Sequence, residues 1–302
     1  MSISVIITTR NKSAYLNLTL LGLDLQLNKD FEIIICDDES TDNTDQVVEK
    51  WGEKFENLIY IKNNKRLGAA ESRNRAVTLA NKELILFLDD DRLLLPNGIQ
   101  EHLIKNKDNY NSFVCGERWE LYSGMTPSSR EIIKDQLLAQ KLVRRHIEPM
   151  PRVMSKAYIN GGENWQFRWY CILTGNLSVP KAIIESLNGF DPTFERLEDL
   201  ELGYRAVENG YGVIYSPEIE SFHLAHKREN YNEVLSEVYK NFNRKHIDKS
   251  IQLMEAFMSG HLCIHEYEQR VLYSLDTTLE CKSCQNKDSR VLYFNSSSMT
   301  NN

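Results

Sequence analysis

The sequence predicts an open α/β sandwich: a mostly parallel sheet covered by helices on both faces, with a helical C-terminal extension. Three observations predict it. Short continuous apolar runs recur at Ile3 to Thr8, Phe31 to Cys36, Leu58 to Lys62, Leu84 to Leu88 and Ser112 to Cys115, which is the pattern of strands buried on both faces. Amphipathic stretches of helical period fill the intervals, and strands alternating with helices pair in parallel through right-handed crossovers. Polar clusters then close the runs: Thr8-Thr9-Arg10-Asn11, Asp37-Asp38 and Asp89-Asp90-Asp91. Sheets of this kind bind ligands at the carboxyl ends of their strands, so three strand ends are expected to face one crevice.

Beyond the fifth strand the pattern weakens. A helix is expected near Ser129 to His146, followed from Pro149 and Pro151 to Gly161 and Gly162 by a punctuated loop, read as a lid or acceptor-side segment. Arg144, Arg145 and His146 form a charge run that reads as a solvated helix face. A second ordered stretch runs from Cys171 to His226, with Leu173 to Ser178 and Asn188 to Asp191 bracketing a helix, and another helix running from Glu198 to about Asn209. After Glu229, Val234, Val238, Phe242, Ile251, Met254, Phe257 and Met258 are spaced for one apolar helical face. The expected division is residues 1–228, in halves 1–115 and 116–228, and an extension 229–302 whose Ser/Asn-rich end, 295–302, frays.

The chain has 302 residues and a formal charge of −7, which argues against nucleic acid as a partner but leaves room for a local basic pocket. No apolar stretch reaches the ~20 residues of a bilayer span, leaving only peripheral membrane contact open. The N-terminus runs straight into a strand, so cytoplasmic residence is expected. Cys36, Cys115, Cys171, Cys263, Cys281 and Cys284 show no framework spacing, and most should be free thiols. His261, Cys263 and His265 with Cys281-x-x-Cys284 could form a zinc site, but one clean Cys-x-x-Cys is weak support.

The chemistry concentrates in acids. Asp89, Asp90 and Asp91 end a buried strand, and like charges so close cost free energy unless a cation neutralises them; a hard divalent ion is the natural candidate. Asp38 ends another strand, where a carboxylate could accept a base imide N–H or stabilise the turn. Ser40, Thr41 and Asp42 are placed to cap the next helix. In Leu67 to Ala76, Gly68 lets a helix start near the crevice and Arg73 can aim a cation at a diphosphate.

Taken together, Ser4 to Asn11, Cys36 to Asp42, Gly68 to Asn74, Phe87 to Asp91 with Pro96, and Gly189-Phe190-Asp191 with Glu198-Asp199 resemble a family 2 glycosyltransferase of the GT-A fold. The likeness covers roughly the first 225 residues, and the ordered series of blocks makes it specific. It implies a nucleotide-binding half at 1–115 and an acceptor-side half at 116–228. The nucleotide diphosphate sugar would lie against Thr8, Arg10, Asp38, Gly68, Arg73, Asp89 and Asp90. A DxD motif at Asp89 to Asp91 would hold Mn2+ or Mg2+, with Asp91 as direct ligand, Asp89 contacting the ribose or reaching the metal directly or through a bound water, and His223 as a further ligand or phosphate contact; His226 is a weaker candidate. The metal would neutralise the departing nucleoside diphosphate. Asp199 would be the base that takes the acceptor proton, although an acid in a helix's first turn also stabilises its positive end. Glu198, Gly175, Asn176 and Trp169 would line the sugar or acceptor side, the tryptophan by stacking, with a core role for Trp165, Trp169 and Tyr170 the alternative.

A single carboxylate opposite the leaving group implies inversion at the anomeric carbon. The expected activity is therefore transfer of a sugar from a nucleoside diphosphate, UDP first, to a glycan, lipid-linked, peptide or small-molecule acceptor. Two departures weaken the base assignment: Arg10 stands where an aromatic residue is common, and Glu39 where glycine is usual. A guanosine or thymidine donor therefore stays open. The alternatives are a binding or scaffold module that has lost turnover, and a nucleotidyltransferase, which would release pyrophosphate. A dehydrogenase fails for want of Gly-x-Gly-x-x-Gly after the first strand.

Overall fold

The computed structural model describes residues 1–121, 126–139, 146–147, 149–226 and 231–273. The first four strands fall where the apolar runs place them: β1 (Ile3–Thr9), β2 (Phe31–Asp37), β3 (Leu58–Lys62) and β4 (Leu84–Leu88), separated by α1 (Ser13–Asp24), α2 (Thr44–Gly52) and α3 (Ala69–Leu79). Then follow β5 (Arg92–Leu94), α4 (Gly98–Asp108), β6 (Ser112–Leu121), α5 (Pro127–Leu138), β7 (His146–Ile147) and α6 (Pro149–Gly161). After two 3₁₀ turns, Gly162–Asn164 and Arg168–Cys171, come β8 (Asn176–Pro180), α7 (Lys181–Ser186), α8 (Glu198–Glu208) and β9 (Gly212–Leu224). The described chain ends in α9 (Tyr231–Lys245), α10 (Lys249–Gln252), α11 (Met254–Met258) and α12 (Ile264–Tyr273).

The strands follow the order β3-β2-β1-β4-β8-β6-β9-β5. β1 pairs in parallel with β2 and β4, while β8 runs antiparallel to β4 and β6, and β5 antiparallel to β9. The sheet is therefore the mostly parallel one expected. Chain order reverses direction at β1, with β2 on one side and β4 on the other, and ligands collect at such a switch point. One face of the sheet packs Ile3, Val5, Ile7, Ile33, Ile35, Leu84 and Leu86 against Leu16, Leu20 and Leu23 of α1 and Val48 and Trp51 of α2. Each of these fully buried aliphatic chains contributes roughly 1.5–3 kcal/mol.

Ser4, Glu32, His102 and Ser178 are paired in the interior. Ser4 Oγ donates to Glu32 at 2.5 Å, and Glu32 also accepts from Asn81 N. Asn106 Nδ2 donates to Ser178 Oγ (2.7 Å), Ser178 Oγ to His102 Nδ1 (2.7 Å), and His102 Nε2 to Asn176 Oδ1 (2.9 Å). An amide oxygen only accepts, so His102 carries its proton on Nε2. Burial pushes His102 down to about 4, keeping it neutral. Asn176 Nδ2 closes the chain on the carbonyls of Glu117 and Ile219; a Cβ at Gly116 would come within 2.1 Å of that nitrogen, so the residue there must be glycine.

The middle of the chain departs from expectation. The punctuated segment is a helix, α6, because Pro149 and Pro151 fall in its first turn, where a missing N–H costs nothing, and Gly161 ends it. The preceding helix stops at Leu138. Arg144 and Arg145 lie outside the described residues, as do Cys281, Cys284 and the 295–302 tail. α12 begins at Ile264, so His261 and His265 do not share a helix. Cys36, Cys115 and Cys171 are free, as expected, and are buried, whereas Cys263 is disulfide-bonded, which withdraws it from thiolate ligation.

The chain forms two compact units, one of residues 1–146 and 166–226, the other of residues 147–165 and 227–302. Within the second, Leu235, Val238, Tyr239 and Phe242 of α9 are buried, as are Ile251, Met254, Phe257 and Met258. Tyr267 stacks on Phe257 at 4.6 Å and donates to Ser250 O. No described helix is long and apolar enough to cross a membrane.

Candidate active site

The carboxyl ends of β1, β2 and β4 meet in the first unit. Thr9 pairs with Asp37 in the β1–β2 register, and Thr9 Oγ1 donates to Asp90 Oδ2 at 2.8 Å, bridging the switch point. The loops are stitched together: Ser40 Oγ accepts from Asn11 N, Asn11 Oδ1 from Thr41 N, and Asp42 from the backbone N–H groups of Ser13 and Thr44. Asn11 and Glu39 both sit at positive φ, 54° and 67°. Glu39 thus holds the backbone conformation that favours glycine, and its carboxylate accepts from Arg66 N.

Asp90 and Asp91 are 5% and 3% exposed. Asp91 Oδ2 lies 3.0 Å from His226 Nε2 and 3.5 Å from His223 Nε2, and these three residues offer ligand atoms within 4.8 Å of one another. His223 Nδ1 faces Glu120 at 2.8 Å, because the parallel β6–β9 register sets Glu120 opposite His223. A carboxylate behind a ligating imidazole fixes its ring and tautomer. Asp91 Oδ1 is buried without a hydrogen-bond partner among the described residues. A buried carboxylate with one oxygen facing two imidazole nitrogens and the other without a partner among the described residues fits a divalent cation.

Lys12 Nζ reaches the same acids, 2.6 Å from Asp91 Oδ2 and 3.2 Å from Asp90 Oδ1. Burial raises Asp91, but His223 and Lys12 overcome it and hold the carboxyl well below its usual range. Burial pushes Asp90 up to about 6, against Lys12. Burial lowers His223, but Asp91 and Glu120 together raise it to about 9. A bound metal would displace that proton.

The other expected nucleotide contacts are distributed around this corner. Thr8 is half-buried and Arg10 exposed. Asp38 accepts from Leu67 N (2.7 Å), Asn63 Nδ2 (2.9 Å) and Gly68 N (2.9 Å), so it fastens the loop before α3. Burial raises its carboxyl, but those donors win and hold it low. Gly68 caps α3 at φ 87°. Arg73 does not point freely into the crevice. Its guanidinium is buried, donates to Glu198 Oε1, lies 3.4 Å from Asp89 Oδ1 and covers the Phe190 ring. Asp89, expected as a ligand, is neutralised by that guanidinium and lies outside the Asp91–His223–His226 group.

Asp199 stands at the start of α8, just after Leu197 at φ 58°, a conformation costly for a branched residue and typical of functional sites. Its Oδ2 accepts from Thr174 N at 3.3 Å. Burial, then repulsion from Glu198, pushes Asp199 up to about 6 against the pull of Arg73. Gly175 allows a close approach: a Cβ there would come 2.7 Å from Asp89 Oδ2, 2.8 Å from Arg92 Nε and 3.0 Å from Arg118 Nη2. Asn74 exchanges two hydrogen bonds with the backbone of Phe190, holding the Gly189-Phe190-Asp191 turn against α3.

Two expected sugar-side residues are elsewhere. Trp169 is 2% exposed, stacked on Tyr170 at 3.7 Å and edge-on to Tyr204, so it is core and has no face to offer a sugar. Asn176 is buried in the His102 network and supports Gly175 from behind. Trp165 belongs to the second unit, where its Nε1 donates to Glu268. Conversely, Lys12, Glu120 and Arg118 were not picked out from sequence. The Lys12 signal was its place directly after the β1 cluster; Glu120 and Arg118 gave none before the β6–β9 pairing was known.

Comparison with known proteins adds a family. Residues 4–168 match the model described as glycosyl transferase family 2. The chain is 26% identical over 258 residues to the uncharacterized glycosyltransferase YfnE of Bacillus subtilis, covering 75% of this chain and 65% of that protein. It is 27% identical over 258 residues to validoxylamine A glucosyltransferase of Streptomyces hygroscopicus, covering 81% and 61%. The chain thus spans less than two thirds of the length of these relatives. Among solved structures, S. aureus TarS 1–349 in complex with UDP superposes with a TM-score of 0.60 at 17% identity, over 92% of this chain and 76% of that one.

Proposed function

The chain belongs to glycosyl transferase family 2, and from that premise we propose that it transfers a sugar from a nucleoside diphosphate donor to an acceptor hydroxyl, with inversion. One observation carries the reading: Arg73 bridges Asp89, at the end of β4, and Glu198, next to Asp199, so the two acidic sites share one crevice. UDP is the first donor to test, in keeping with the UDP complex of TarS.

Asp91, His223 and His226 would hold the metal, and two imidazoles favour Mn2+ over the harder Mg2+. When bound, the ion supplies positive charge that makes the nucleoside diphosphate a workable leaving group. The protein's own groups do the rest. Asp199 takes the proton from the acceptor hydroxyl; with its carboxyl near 6 it is ionised at neutral pH yet retains basicity. Thr174 N fixes the orientation of the carboxylate. Arg73 holds Asp89 and Glu198 in place, and the missing side chain of Gly175 leaves Asp89 room beside Arg118. Asp38 shapes the base side by fixing Leu67 and Gly68.

A thermal-shift screen of UDP-, GDP- and TDP-sugars with Mn2+ tests this. One matching donor at about 100 times its Kd should add ~2.7 kcal/mol, or about 5–10 °C, and Asp91→Asn should lose the shift. No response to any donor, with no nucleoside diphosphate released in the presence of acceptors, would refute the proposal.

A further inference from the structure

Lys12 occupies a place that its position in the chain does not favour. It precedes the first turn of α1, where the helix end is positive and a basic side chain is repelled. Asn11, at φ 54°, turns the chain there, and the Lys12 ammonium reaches into the acid corner. Its shortest contact, 2.6 Å, is with Asp91 Oδ2, the same oxygen that faces His226 Nε2 at 3.0 Å and His223 Nε2 at 3.5 Å. The second contact, 3.2 Å, is with Asp90 Oδ1. Asp90 is otherwise anchored, with Thr9 Oγ1 on its other oxygen and Thr19 Oγ1 on its carbonyl. Asp91 keeps one oxygen without a partner among the described residues.

Two buried neighbouring carboxylates need positive charge; His223 faces Asp91, and the Lys12 ammonium reaches both Asp90 and Asp91. A divalent ion at Asp91 would meet that ammonium at a few ångströms, where like charges repel strongly in a partly dry site. We infer that Lys12 is the resident cation of the Asp90–Asp91 pair, and that it gives up its contact with Asp91, keeping Asp90, when a divalent ion binds. The inference rests on the metal reading above. Its consequence is that the free protein binds metal more weakly than its ligand set would, which favours loading of the ion together with the negatively charged donor.

The test is Mn2+ titration of the full chain, followed by electron paramagnetic resonance of the free ion. Wild type, Lys12→Met, Lys12→Gln, Lys12→Arg and Asp91→Asn are compared, with folding checked by circular dichroism. The neutral variants should bind Mn2+ about tenfold more tightly than wild type, and Lys12→Arg, which keeps the charge, within about threefold of it. Equal or weaker binding by folded neutral variants overturns the inference. If Asp91→Asn abolishes binding while the Lys12 variants leave it unchanged, the metal site stands and Lys12 has no part in it. Absence of Mn2+ binding in wild type, even with UDP present, removes both. Should the neutral variants not fold, wild-type crystals grown with and without Mn2+ decide: the Lys12 to Asp91 contact should open beyond hydrogen-bonding distance with the ion and stay closed without it. A contact that stays closed with the ion bound overturns the inference.

Discussion

At Asp199, two effects that raise the carboxyl, burial and the neighbouring Glu198, act against Arg73, the Thr174 N–H and Arg118. The net position near 6 gives a signed expectation. As the proposed base, Asp199 works only when ionised, so kcat should fall as pH drops through about 6 and level off above it. Asp199→Asn should lower kcat by about 10²–10⁴-fold, remove that limb of the profile and leave donor affinity within about twofold. The folded state holds this proton more tightly than the unfolded chain does, so ionising Asp199 opposes folding as pH rises through 6. The asparagine variant should therefore melt no lower than wild type at pH 8. Steady-state kinetics with a melting curve checks both, and a large loss of stability with residual turnover would reduce Asp199 to a helix-terminal acid. Asp199 and the acids Asp89 to Asp91 could be placed beside one crevice from sequence because strand-end and helix-start acids mark themselves in one dimension. Glu120 was not, since it reaches His223 only through a pairing of strands about 100 residues apart. His226 and Lys12 were ambiguous for the same reason: a lone histidine or lysine says nothing until its partner is placed.

At the level of elements, β1 to β4 were legible to within a residue; β1, β2 and β4, buried on both faces, write themselves as continuous apolar runs, and the half-buried edge strand β3 follows the same run pattern. The helix α6 was misread, since the prolines that open a helix and the glycine that closes it are also the punctuation of loops. Trp169 was misplaced because an aromatic near a sugar site and one beneath it look alike in sequence; only its packing on Tyr170 and Tyr204 separates them. In the turn after β2, Glu39 stands where glycine is usual and holds the left-handed conformation that favours glycine. That conformation costs a side-chain-bearing residue roughly 1–2 kcal/mol, partly offset by the hydrogen bond from Arg66 N and by the extra unfolded-state freedom of glycine. Glu39→Gly should therefore raise the melting temperature by about 1–3 °C and leave transfer intact, whereas Glu39→Val should lower it. A melting series over these two variants checks the sign.

For the whole molecule, the two compact units differ in what they contain. Every group assigned to the candidate site, from Lys12 and Asp38 through Asp91 and Asp199 to His226, lies within residues 1–146 and 166–226. The other unit carries its own apolar interior, built around Phe242, Phe257, Met254 and Tyr267. A ligand that binds one folded unit stabilises that unit by mass action and leaves the other to its own melting equilibrium. Two units with separate cores also relax the expectation of a single all-or-none transition. Scanning calorimetry of the full chain should therefore resolve two transitions. Mn2+ with UDP should move the larger, first-unit transition upward by about 5–10 °C at 100 times Kd, scaled from ~2.7 kcal/mol for a unit of this size, and the smaller one by less than about 1 °C. Asp91→Asn should cancel the shift without merging the peaks. If instead one peak carries all the heat and moves as a whole with nucleotide, the units melt as a single cooperative body and the site's energetics extend to residues 147–165 and 227–302.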